Sequence, residues 1–230
     1  MFRKIFVTAL LAGAIAGLFA AGAQRVKLVP LIQQAEIYET VAEAHTSHDH
    51  AGMAMAAPAT PDWEPEEGLE RTAYTVLADV LAGIGFALIL SGAIACAGLA
   101  GHSVDARSGL LWGAAGFAVF ALAPSLGLPP LPPGAEAAEL TARQVWWIGT
   151  AAATAVGLGL LVFWPARLAR ALGLAILVLP HLIGAPHPHD PGGPVPADIA
   201  AQFAVASIAT AALFWLVLGA TTGFLYRRLA

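Results

Sequence analysis

The stretch "VLAGIGFALILSGAIACAGLAG", residues 80–101, runs 22 residues without a charged side chain. A bilayer's hydrocarbon core takes roughly 20 apolar residues of helix to cross, so this segment alone suffices for one passage. A backbone in lipid must satisfy its own hydrogen bonds, which a helix does and an open strand does not. The side chains show none of the period-2 alternation of a membrane barrel. The reading is therefore a membrane-spanning helix, and it sets the question for the rest of the chain.

Five other uncharged runs resemble it: 5–24, 108–135, 144–166, 171–189 and 199–226. Hydrophobic residues make up 58% of the 230 and charged residues 11%, about half the charge of an ordinary soluble domain. The expectation is an all-α membrane protein, a bundle of six transmembrane helices in a single domain over 1–230. Its helices are placed at 4–28, 70–100, 108–128, 141–165, 168–186 and 198–227, with a His- and acid-rich outer loop at 33–68. The first run has a second reading. Its basic start, apolar stretch and Ala21-Gly22-Ala23 also suit a cleaved signal peptide, although the apolar part exceeds the usual length of roughly 7–15 residues.

Charge orients the bundle. With the N-terminus inside, inner segments hold Arg3, Lys4, Arg107, Arg167, Arg170, Arg227 and Arg228, and outer ones hold Arg25, Lys27, Arg71 and Arg143. Seven against four follows the positive-inside rule. Of the 15 acids only Asp105 falls inside, and of the seven histidines only His102. The outward face is thus acidic and rich in imidazole, which suits attraction of cations from outside. A plainer account is that translocated loops avoid Lys and Arg and acids fill the space.

The chain also reads as three helix hairpins in weak repeat. "LAPSLGLPP" (122–130) lies over "VLPHLIGAP" (178–186), and the returning helices open on "GLERTAYTVLADV", "AELTARQVWW" and "ADIAAQFAVA". Transporters often grow from such repeats, while Ala-Leu-Gly bias also creates chance likeness. Pro124 and Pro180 each remove a backbone donor late in a span, so both helices are expected to open there and expose carbonyls. Gly13-xxx-Gly17 and Gly109-xxx-Gly113 allow helices to approach closely.

Two polar clusters carry candidate chemistry. "HTSHDHAGMAM" (45–55) offers His45, His48, Asp49 and His50, imidazoles and a carboxylate that suit borderline divalent ions. A flexible segment can wrap an ion by itself, but it cannot choose cobalt or nickel over copper. The second, "LPHLIGAPHPHDPGG" (179–193), holds His181, His187 and His189. His181 would sit about 20 Å along the fifth helix, in the outer third of the bilayer. Asp79 would lie at a comparable depth in the second helix, so a cation passing between them would meet a carboxylate and an imidazole. Intramembrane ionisable groups are expensive and often functional. The alternatives are a solvated linker at 45–55, pairing of Asp79 with Arg71 or Arg143, and a His181 bonded to a carbonyl.

Several classes find no support. No Gly-rich Lys-Ser/Thr phosphate loop occurs, nor a His-Glu-x-x-His or Gly-x-Ser-x-Gly motif, so no enzyme is expected and no permanently bound cofactor. The single Cys96 precludes an internal disulfide and a multi-cysteine metal site. No basic stretch suits nucleic acid. An inside-negative potential near 100 mV favours entry of a divalent cation by about 4.6 kcal/mol, at about 2.3 per charge, so ATP is not required of this chain.

These features resemble the CbtA family of cobalt transporter subunits. The likeness is carried by "MFRKIFVTALLAG" (1–13), the His-rich loop, "GLERTAYTVLADVLAGIGFALIL" (68–90) and "GLLWGAAGFAVFALAPSLGLPPLPPGAEAAELTARQVWW" (109–147). "VLPHLIGAPHP" (178–188) and "VPADIAAQFAVASIATAALFWLVLGA" (195–220) extend it over nearly the whole chain. The resemblance implies cobalt uptake linked to cobalamin synthesis, with Co2+ as the transported ion and Ni2+ as the alternative. It implies a bacterial inner-membrane location, in which the charge count would leave both termini cytoplasmic and the His-rich loop periplasmic. It also implies a small single-span partner of CbtB type, besides the metal ion and the lipid. A role in assembly, delivering metal to a separate permease, is the second hypothesis.

Overall fold

A computed structural model describes residues 2–49, 65–66, 68–102, 105–188 and 193–229. His50 and His189 lie outside the described residues. The described chain is helical throughout its ordered elements: α1 (Phe2–Lys27), α2 (Val29–Asp49), α3 (Leu69–Leu99), α4 (Ala106–Phe117), a π-helical stretch (Ala118–Leu122), α5 (Ala123–Ser125), α6 (Leu140–Phe163), α7 (Arg167–Ile183) and α8 (Ala197–Arg228).

Among the described residues five helical segments are long and apolar enough to cross a membrane: Phe2–Lys27, Leu69–Leu99, Arg107–Ser125, Leu140–Phe163 and Ala197–Arg228. Their outer faces show Leu81, Ile89, Leu111, Val145, Val162 and Val205 to the surroundings. An apolar girdle of this kind is a liability in water and the ordinary state in lipid. α7 has 17 residues, about 25 Å at the rise of a regular helix, which is a little short of a full hydrocarbon core.

Glycine decides which helices meet. α1 packs closely on α3, α4 on α8 and α6 on α7, and each seam is a backbone-to-backbone approach. A Cβ on Gly17 would stand 2.5 Å from the Asp79 carbonyl oxygen, and one on Gly223 would stand 2.5 Å from that of Asp105. Gly109 and Gly113 of α4 oppose Gly219 and Gly223 of α8, so two small-xxx-small motifs interlock, as close membrane helix pairs require. Gly157 and Gly173 do the same for α6 and α7. The pairing departs from three hairpins in series. The first hairpin, α1 with α3, is present, but α4 turns to α8 and α7 to α6, because that is where the matching glycines lie. α1 also packs on α8, which places α1, α3, α4 and α8 together and leaves α6 and α7 at their flank.

The two ends of the bundle differ. At the termini end, Lys4 Nζ sits 3.9 Å from the centre of the Tyr226 ring, and His102 meets Phe163 edge-on at 5.3 Å. Asp105 caps α4, accepting from the Ser108 amide while Ser108 Oγ accepts from its own. Those hydrogen bonds hold its carboxyl below the ordinary aspartate value. At the far end Glu139 caps α6 through the amides of Thr141 and Ala142 at 2.8 and 2.7 Å, and its carboxyl is lowered for the same reason.

The stretch 33–48 that opens the outer loop is good helix, and α2 runs on to Asp49, so His45, His48 and Asp49 lie on it rather than on the flexible segment expected to wrap an ion. α2 is anchored as well: Ala35 is completely buried, and Arg71 of α3 bonds Glu36. Pro180 does not end its helix, which runs on to Ile183 and stops at Gly184, where φ is 88°. Pro124 does disturb its span as expected. The preceding turns widen into the π-helical stretch, and Ser125 Oγ donates to the Ala121 carbonyl at 2.6 Å.

Candidate metal-entry site

Two cavities open at the far end. The first, about 210 Å³, lies between the end of α1, the start of α2 and the start of α3, lined by Gln24, Gln33, Arg71, Thr72 and Thr75 among others. The sequence builds it from a helix break: α1 stops at Lys27, Pro30 opens the first turn of α2, and the chain swings away from α3 instead of continuing along it. Thr72 and Thr75 donate to the carbonyls of Gly68 and Arg71 at 2.7 and 2.8 Å, which leaves their oxygens free to accept.

Asp79 lies one turn below Thr75. Gln24, which lines the cavity, donates from Nε2 to Asp79 Oδ1 at 3.0 Å. The other carboxylate oxygen, Oδ2, is buried and makes no hydrogen bond. A buried carboxylate oxygen without a donor is costly, and a cation is the natural partner for it. The carboxylate is placed here because Gly17 lets the Asp79 backbone come against α1. Arg71, one of its expected partners, bonds Glu36 instead.

His181 is elsewhere. It occupies the last turn of α7, and its ring meets Trp146 of α6 edge-on at 5.9 Å. Asp79 belongs to the α1·α3 pair and His181 to the α6·α7 pair, so the expected carboxylate–imidazole passage between them is not assembled by any contact described. His187 is exposed and lines the second cavity, about 770 Å³, with Glu136, Arg143, Gln144 and Trp147. His187 thus lines one cavity of this end, and Asp79 is joined to the other through Gln24. Among the described residues no three His, Cys, Asp or Glu side chains stand close enough to hold an ion together.

Gln24 was not among the sequence candidates. Its signal was faint but present, since it is the last residue of the first uncharged run while Asp79 immediately precedes the second. Two polar residues bordering greasy segments at one end of an antiparallel pair must lie near one depth.

A family model described as "Probable cobalt transporter subunit (CbtA)" matches residues 2–227. No curated protein matches the chain, and no solved structure does.

Proposed function

The chain belongs to the CbtA family of probable cobalt transporter subunits, and from that premise we propose that it provides the entry path of a divalent cobalt uptake system. The observation that carries this reading is the unpartnered, buried Oδ2 of Asp79, one turn below a cavity that Gln24, Thr72 and Thr75 help to line. A cation arriving in the cavity sheds part of its water to the threonine and glutamine oxygens and then meets one fixed carboxylate. Oxygen ligands and retained water hold Co2+ weakly enough to release it, without themselves selecting it over harder divalent ions. The role has no catalysed step and no resident cofactor, and Ni2+ is the competing cargo.

Orientation follows from charge. The termini end, with Arg227 and Arg228 closing α8, faces the cytoplasm, and the cavities face the periplasm. α7 supplies the sixth crossing. It starts where α6 ends, packs against it through Gly173 and Gly157, and brings His181 to Trp146 near the start of α6. Its shortness is tolerated by local thinning of the bilayer. His45, His48 and Asp49 at the end of α2, with His50, which lies outside the described residues, serve as a periplasmic capture segment. His187 and His189 extend capture to the second cavity. A small single-span partner of CbtB type completes the transporter.

Replacing His45, His48 and His50 together by alanine is expected to raise the Co2+ concentration needed for half-maximal uptake several-fold while leaving the maximal rate unchanged. Uptake curves over a wide range of Co2+ check this, and loss at every concentration would instead place the segment within the path. The second reading, delivery of metal to a separate permease, is favoured by the acidic, His-bearing far end. Purified chain and partner in liposomes separate the two: cobalt flux supports the path, whereas binding without flux supports delivery.

A further inference from the structure

Three hydroxyls in the half of the bundle nearer the termini are unexplained by the entry cavity. Thr8, Ser91 and Thr222 are each 0% exposed, and none of their oxygens makes a hydrogen bond. Local bonds were within reach of such residues. Thr154, Thr221 and Thr75 in the same bundle donate to carbonyls four residues back, at 2.7, 2.6 and 2.8 Å. A buried hydroxyl left alone costs free energy, so three near one level call for a reason.

Register puts them near one level. Gly13 faces Ile84 across the antiparallel α1·α3 seam. Thr8 lies five residues from Gly13 towards the termini end and Ser91 seven from Ile84, a difference in depth of about 3 Å. Lys4 meets Tyr226 across the α1·α8 seam, and Thr8 and Thr222 each lie one turn further in. All three helices pack on one another. Between this level and Asp79 stands an aromatic cluster. Phe86 is 5.3 Å from Phe120, 6.2 Å from Phe214 and 5.0 Å from Trp215, and Phe120 stacks on Trp215 at 5.5 Å. Along α3 the order is carboxylate, aromatic, hydroxyl, with steps of about 10 and 7 Å.

We propose that Thr8, Ser91 and Thr222 form an inner transit site for a partly hydrated divalent cation, shut off from Asp79 by the Phe86–Phe120–Phe214–Trp215 cluster. This rests on the transport reading above. Neutral oxygens replace part of the hydration shell without adding charge, so the ion is held weakly and leaves for the cytoplasm, as conduction requires. The cluster is the constriction that must part before an ion passes from the carboxylate to the hydroxyls.

The test compares wild type with T8V, T222V and the double variant, and with T222S as the conservative control, by cobalt uptake in cells carrying the full chain and its partner. Valine keeps the shape of threonine and removes a hydroxyl that nothing in the fold satisfies, so the melting temperature of the purified chain is expected to hold or rise. The maximal uptake rate of the double variant is expected to fall about twenty-five-fold, since each lost oxygen ligand is worth about a factor of five. The half-saturating Co2+ concentration, set at the entry side, stays within about twofold, and T222S keeps the wild-type rate. A double variant that transports like wild type overturns the inner site, as does one whose melting temperature or abundance collapses, which would make the hydroxyls structural. Absence of uptake by wild type itself removes the transport reading, and the inner site with it.

Discussion

Asp79→Asn is expected to lower cobalt uptake about a hundredfold at limiting Co2+ while leaving the protein folded and abundant. Asparagine has the shape of aspartate and still offers an oxygen to Gln24, whose Nε2 now donates to Oδ1 at 3.0 Å. The substitution therefore removes the charge and little else. A unit charge facing a cation near a protein surface is worth several kcal/mol before desolvation is counted, and a net loss of about 2.7 kcal/mol corresponds to the hundredfold expected. Gln24→Ala is the companion, expected to cost about tenfold, because it frees the carboxylate to rotate without neutralising it. Initial uptake rates over a range of Co2+, normalised to chain abundance, check both. A wild-type rate from Asp79→Asn would take the carboxylate off the path.

Gly219→Leu is expected to separate α4 from α8 and so to remove the folded protein from the membrane. A Cβ at this position would lie 2.7 Å from Gly113 Cα and 2.8 Å from its nitrogen. These are backbone atoms, which cannot rotate aside as a side chain would. Overpacking a core that can relax costs about 1–3 kcal/mol, and here the seam must open along several turns. It carries Trp215 of the aromatic cluster with it, since Gly113 lies against that residue's carbonyl. Gly159→Leu is the control, with nothing within 4 Å of the added Cβ, and is expected to be tolerated. Abundance after membrane extraction and the melting temperature of purified protein separate the two. Equal behaviour of the two variants would mean that the seam is not what holds the pair.

Much of this architecture was legible in the chain. Uncharged runs such as 80–101 leave helix as the backbone's choice in lipid, and charge at their borders marks the ends. Partner choice was not legible. Gly13-xxx-Gly17 and Gly109-xxx-Gly113 announce close approach, but alanine is so common that many helix faces could receive them. Gly83, Gly219 and Gly173 are the receiving positions, and only the assembled bundle distinguishes them. α2 was legible as helix over "QQAEIYETVAEAHTSH" (33–48), but its anchoring through Ala35 and Glu36 was not.

The candidate site divides in the same way. Asp79 stood out because a carboxylate inside a greasy helix must be explained. Its link to His181 failed because depth along a helix says nothing about the face or the neighbour. Gln24 and the three inner hydroxyls carried no charge to draw attention, and their meaning comes from burial without a partner, a property of packing. The histidines of 45–50 could be read for their affinity for metals.

Cobalt accumulation in cells tests the central claim most directly. Cells lacking this chain and other cobalt importers, starved of the metal, are given Co2+ at low concentration with or without the chain and its partner. The account predicts saturable accumulation only when both are present, reduced by competing Ni2+ and nearly lost with Asp79→Asn. Equal accumulation with and without the chain would contradict it.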